Sequence, residues 1–77
     1  MKIEILGTGC PKCQQAAKQV QKALQALNLE ARVEHVTDPN AIVDYGVLMT
    51  PGIVVDGQVK SSGKVPSMDD LKKMLAP

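Results

Sequence analysis

Residues 2–17 read Lys2-Ile3-Glu4-Ile5-Leu6-Gly7-Thr8-Gly9-Cys10-Pro11-Lys12-Cys13-Gln14-Gln15-Ala16-Ala17. Lys2 to Leu6 is rich in isoleucine and stops at Gly7, the pattern of a short strand. Gly7-Thr8-Gly9 is a flexible connection. Pro11 suits the first position of a helix, where its missing N–H costs nothing. Ala16, Ala17, Val20, Ala23, Leu24 and Leu27 then recur at three- and four-residue spacing, one apolar helical face. Two cysteines therefore sit where a strand hands over to a helix.

The rest of the chain extends the alternation. Leu29, Ala31 and Val33 alternate with Glu30, Arg32 and Glu34, a half-exposed strand. Strand, helix, strand in this order implies a parallel crossover. Asp38-Pro39 is a helix cap followed by proline, and the short helix through Ile42 and Val43 should stop near Gly46. Gly52 to Val55 reads as a buried strand. Asp56-Gly57 is a two-residue hairpin signal, so Gln58 to Ser62 should return antiparallel. Ser67 with Asp70 marks the start of a last helix with Met68, Leu71, Met74 and Leu75 on its apolar face. The expected order is βαβαββα, an α/β domain with a mixed sheet and helices on both faces.

Totals narrow the function. A chain of 77 residues suffices for one domain with a modest core. Net charge is +1 and Tyr45 is the only aromatic, so neither a basic patch nor base-stacking rings are at hand. Nucleic-acid binding is not expected. No apolar run approaches the ~18 residues of a membrane span. Met1 to Leu6 meets Gly7 too soon for a secretory leader, which makes the cytoplasm the expected location. The two cysteines are too few for a secreted disulfide scaffold, and closing so short a loop stabilises by only roughly 2 kcal/mol. Chemistry explains the pair better than stapling.

Cys10 falls where a helix N-cap would. Free backbone N–H groups and the helix dipole both favour a negative sulfur there. A thiol with pKa near 8.5 is only about 3% ionised at neutral pH; lowering it to about 7 makes half of it thiolate. Lys12 adds a positive charge nearby. Cys13, one turn in, should be more buried. Cys10 is thus the expected nucleophile and Cys13 the thiol that resolves a mixed disulfide. Soft-metal binding (Zn or Cu) or redox sensing by the same two thiols is the alternative. A closed zinc site usually needs four ligands, and His35 is the only histidine. No metal site is expected. The metal-carrying domains of copper chaperones have a similar dithiol, but usually with Met where Thr8 stands, and they end on a strand.

Three segments carry a resemblance: Gly7-Thr8-Gly9-Cys10-Pro11-Lys12-Cys13, Met49-Thr50-Pro51-Gly52-Ile53-Val54-Val55-Asp56-Gly57 and Gly63-Lys64-Val65-Pro66-Ser67. Together they resemble the small thioredoxin-like redox-active disulfide proteins of archaea and bacteria, glutaredoxin-sized thioredoxins. The resemblance implies one thioredoxin-like domain over residues 1–77, with a four-stranded sheet whose first strand lies between the second and third and whose fourth is at an edge. It implies a thiol–disulfide oxidoreductase acting on protein disulfides, supplied by a separate reductase, as a monomer and without a cofactor. It also implies a cis Thr50–Pro51 bond beside the dithiol. Pro11, Lys12, Thr50 and Pro51 would then support the active site, and Met49, Thr50 and Gly63 would line a substrate groove. Glu4 lies where thioredoxins place a buried acid that helps the second cysteine lose its proton. The plainer reading makes Glu4 a strand carboxylate facing water and Tyr45 a packing residue.

Overall fold

The computed structural model describes residues 1–75. Seven elements follow in the expected order: β1 (Lys2–Leu6), α1 (Pro11–Ala26), β2 (Arg32–Val36), α2 (Pro39–Asp44), β3 (Gly52–Val55), β4 (Gln58–Ser62) and α3 (Met68–Leu75). The sheet order is β2-β1-β3-β4. β1 runs parallel to β2, with Ile3 opposite Val33 and Ile5 opposite His35. It runs antiparallel to β3, with Ile5 opposite Ile53. β3 and β4 form the hairpin, irregular beside Ile53 and Val54.

Side chains alternate across the sheet, so β1 and β3 each feed two cores. Ile3, Ile5, Ile53 and Val55 pack with Ala16, Val20, Ala23 and Leu24 of α1 and with Leu71 and Leu75 of α3. On the other face Leu6 and Val54 pack with Ile42 of α2 and with Val47. Helices thus cover both faces.

Local signals account for most boundaries. Asp38 caps α2 by accepting from the Asn40 N–H at 3.0 Å. Ser67 does the same for α3, accepting from the Asp70 N–H at 3.1 Å. Asp56 (φ 49°) and Gly57 (φ 85°) both take positive φ, as the tight hairpin turn requires. One expectation needs correcting. The second strand starts at Arg32, not Leu29. Asn28 adopts φ 53° past the end of α1, and the Leu29 N–H returns to the Leu24 carbonyl at 2.9 Å. With the Asn28 N–H on the Gln25 carbonyl at 3.1 Å, this is a Schellman closure, and it holds Leu29 against the helix end.

Candidate functional site

The carboxyl end of β1 meets the amino end of α1 at the two cysteines. Cys10 is the N-cap of α1, with extended backbone (φ −64°, ψ 162°) and Pro11 following in the first turn. The Cys13 N–H donates to the Cys10 sulfur at 3.2 Å. The Gln14 N–H donates to the Cys10 carbonyl at 3.0 Å, and the Gln14 side-chain amide donates to the Gly9 carbonyl at 3.2 Å. Sulfur and main chain of Cys10 are therefore both tied to the first helical turn. Cys10 and Cys13 form a disulfide with Cα atoms 5.0 Å apart. Cys10 is half-buried and Cys13 is 5% exposed, while Pro11 and Lys12 lie exposed between them.

Gly7 closes the site from behind. It is buried, and a Cβ built on it would run into the Cys13 sulfur and come within 3.7 Å of the Thr50 Cβ. Thr50 is thereby brought next to the dithiol from 37 or more positions away in sequence, as the contact through Gly7 records. The Thr50–Pro51 peptide bond is cis and Pro51 is buried. The Pro51 carbonyl accepts from the Gly63 N–H at 2.9 Å. A Cβ at Gly63 would lie 3.3 Å from that of Met49, so Met49, Thr50, Pro51 and Gly63 form one local cluster. Ahead of it Leu48 and Met49 are exposed by 88% and 68%, two apolar side chains left uncovered at the rim.

Glu4 departs from the water-facing reading. It is 8% exposed, on the α2 side of β1, and both its carboxylate oxygens accept from the Tyr45 hydroxyl, at 2.9 and 2.8 Å. Lys2 approaches it at 3.8 Å. Its polar contacts among the described residues are thus with Tyr45 and Lys2, not with the dithiol. Tyr45 is correspondingly more than packing. Its pKa is raised above 10.0, first by the bond to Glu4, then by desolvation and by the Glu4 and Glu34 charges. His35, noted in the sequence only as the single histidine, shares a face of β2 with Val33 and lines a small cleft beside Cys13, a neighbourhood that only the folded chain creates.

Among the described residues no group of three or more His, Cys, Asp or Glu side chains lies close enough to hold a metal ion. Among these residues the dithiol has no third metal ligand within reach. No helix among them is long and apolar enough to cross a membrane. What the arrangement does offer is a sulfur pair that can open and close between one accessible and one covered position.

Comparison with known proteins agrees with that chemistry. The Thioredoxin domain family model matches residues 1–76. A curated protein named thioredoxin from Methanocaldococcus jannaschii is 42% identical over 73 residues, covering 95% of this chain and 84% of its own length. Another protein named thioredoxin, from Methanothermobacter thermautotrophicus, is 38% identical over 76 residues, 99% of each chain. With near-complete coverage, and with the paired cysteines at the mouth of α1, the chain belongs to the thioredoxin family and is a thiol–disulfide oxidoreductase.

Proposed function

We propose that the chain reduces protein disulfides by two-thiol exchange, with Cys10 attacking and Cys13 resolving. The observation that carries this is the Cys13 N–H held 3.2 Å from the Cys10 sulfur at the start of a 16-residue helix. That donor and the helix dipole favour a thiolate on Cys10 once the disulfide is opened. In the reaction the Cys10 thiolate attacks one sulfur of the substrate disulfide, forming a mixed disulfide and expelling the first substrate thiolate. Cys13 then attacks Cys10, the mixed disulfide breaks and the second substrate thiol leaves. Two electrons pass from the dithiol to the substrate.

Lys12 adds a positive charge on the outer turn. Met49, Thr50 and Gly63 form the substrate groove, supported by the uncovered apolar rim at Leu48 and Met49. Pro11 and Pro51 shape the two sides of the site. Glu4, engaged by Tyr45, takes no part in this reading. A separate reductase would restore the dithiol, whose two cysteines are the only ones in the sequence. We place the protein in the cytoplasm as a monomer, since a dithiol that must be re-reduced suits a reducing compartment.

Reduction of a disulfide-bonded model protein, with dithiothreitol as the electron source, tests the proposal. The wild-type chain should accelerate it strongly and Cys10→Ser should not. Equal rates, together with stoichiometric metal on protein purified without chelator, would favour the metal-binding reading instead.

A further inference from the structure

Cys13 must shed a proton before it can attack, yet it is 5% exposed. Burial disfavours a charged sulfur. A proton acceptor within reach would speed resolution, and Glu4 is committed to Tyr45 on the opposite face of β1. A cleft of about 60 Å³ lies beside Cys13, lined among others by Ile5, Gly7, Cys13 and Gln14 and open to solvent where His35 and Thr37 are exposed. His35 reaches it because β2 pairs in parallel register with β1, His35 opposite Ile5. The space is large enough for a water molecule, and His35, Thr37 and Gln14 are the polar side chains on its mostly apolar lining.

We propose that His35 is the proton acceptor for the Cys13 thiol, through water in this cleft. The proposal rests on Cys13 being the resolving thiol. In the mixed disulfide, the Cys13 proton passes to the His35 imidazole. The freed sulfur electron pair forms the Cys10–Cys13 bond, the bond from Cys10 to the substrate sulfur breaks, and its electrons leave on that sulfur. The imidazolium then returns the proton to the departing thiolate, so His35 ends neutral. The dithiol and the substrate disulfide supply every electron.

Among the described residues, the cleft lining includes no Asp, Glu, Lys or Arg side chain. Cys13 and His35 are the ionisable side chains among the residues lining it. Glu34 and Arg32 lie on the other face of β2, paired at 3.1 Å, with Lys2 at 3.6 Å from Glu34. Asp38 caps α2. From α1, Cys13 and Gln14 line the cleft, while Lys12 and Lys18 are exposed to solvent.

Stopped-flow mixing of reduced protein with dithionitrobenzoate separates the two steps: one thionitrobenzoate leaves on attack by Cys10 and the second on resolution by Cys13. In wild type the second step should quicken as rising pH leaves the imidazole neutral. His35→Gln should slow that step about 10-fold or more at neutral pH, and converge with wild type at alkaline pH, where solvent ionises Cys13. Equal profiles, or slowing by the same factor at every pH, would overturn the proposal. His35 is the only histidine, so its imidazole NMR signals can be followed without any substitution at that position. In the reduced protein they should show a second inflection that vanishes in Cys13→Ser; no coupling between the two groups overturns it equally. Cys13→Ser should also retain its mixed disulfide. If it releases the second chromophore at the wild-type rate, the resolving role of Cys13 fails, whatever His35 does.

Discussion

Cys10 and Cys13 carry one side chain into opposite surroundings. Cys10 is set at the helix mouth by its extended backbone and by the N–H it accepts from; Cys13 is buried one turn later against Gly7, where any Cβ would collide with its sulfur. The motif and the proline after Cys10 made this asymmetry legible, because capping is a local matter. The Tyr45–Glu4 pair was not legible in the same way: its partners stand 41 positions apart and meet only when α2 packs on β1. Tyr45 is the single tyrosine in a chain without tryptophan, so tyrosinate absorbance reports it alone. Its raised pKa means that the unfolded chain loses the phenol proton first. This contribution to stability is whole below pH 10.0, the ordinary value, and is lost as pH rises through the folded-state pKa. Glu4→Gln should lower the Tyr45 pKa toward its ordinary value and lessen the alkaline loss. An unchanged titration would contradict the bond to Glu4.

Elements were read well where one residue marks an end. Asp38, Gly46, Asp56-Gly57 and Ser67 stand at the boundaries they announced, each through a cap or a positive φ. β2 was misplaced at its start because alternation alone cannot tell a strand from the apolar residue that closes a Schellman motif, as Leu29 does. α3 depends on its cap more than α1 does, being 8 residues long against 16. Ser67→Ala leaves the Asp70 N–H without its 3.1 Å acceptor. The expected loss is about 1 kcal/mol, within the usual range for N-cap serine. Urea denaturation should show a lower midpoint at unchanged slope. An unchanged midpoint would mean that solvent replaces the serine without penalty.

At the scale of the molecule, β1 is the organising strand. It pairs on both sides, feeds both cores and ends at Gly7, so the dithiol sits where the chain leaves the sheet beneath α1 while α2 packs on the opposite face. Sites in α/β sheets favour this crevice beyond the carboxyl ends of strands. Periodicity supplied the element order but not the neighbours; the strand order came from the resemblance to small thioredoxins. The groove residues Met49, Thr50 and Gly63 also owe their proximity to that topology, not to spacing along the chain. The cleft at His35 depends on the same packing, so no spacing along the chain announces His35 as a neighbour of Cys13. The most direct trial of two-thiol exchange is mass analysis, under non-reducing conditions, of reduced Cys13→Ser incubated with a disulfide-bonded protein. A covalent adduct on Cys10 should accumulate, stable until an external thiol is added. Absence of any adduct, with disulfide reduction proceeding at the wild-type rate, would contradict the mechanism.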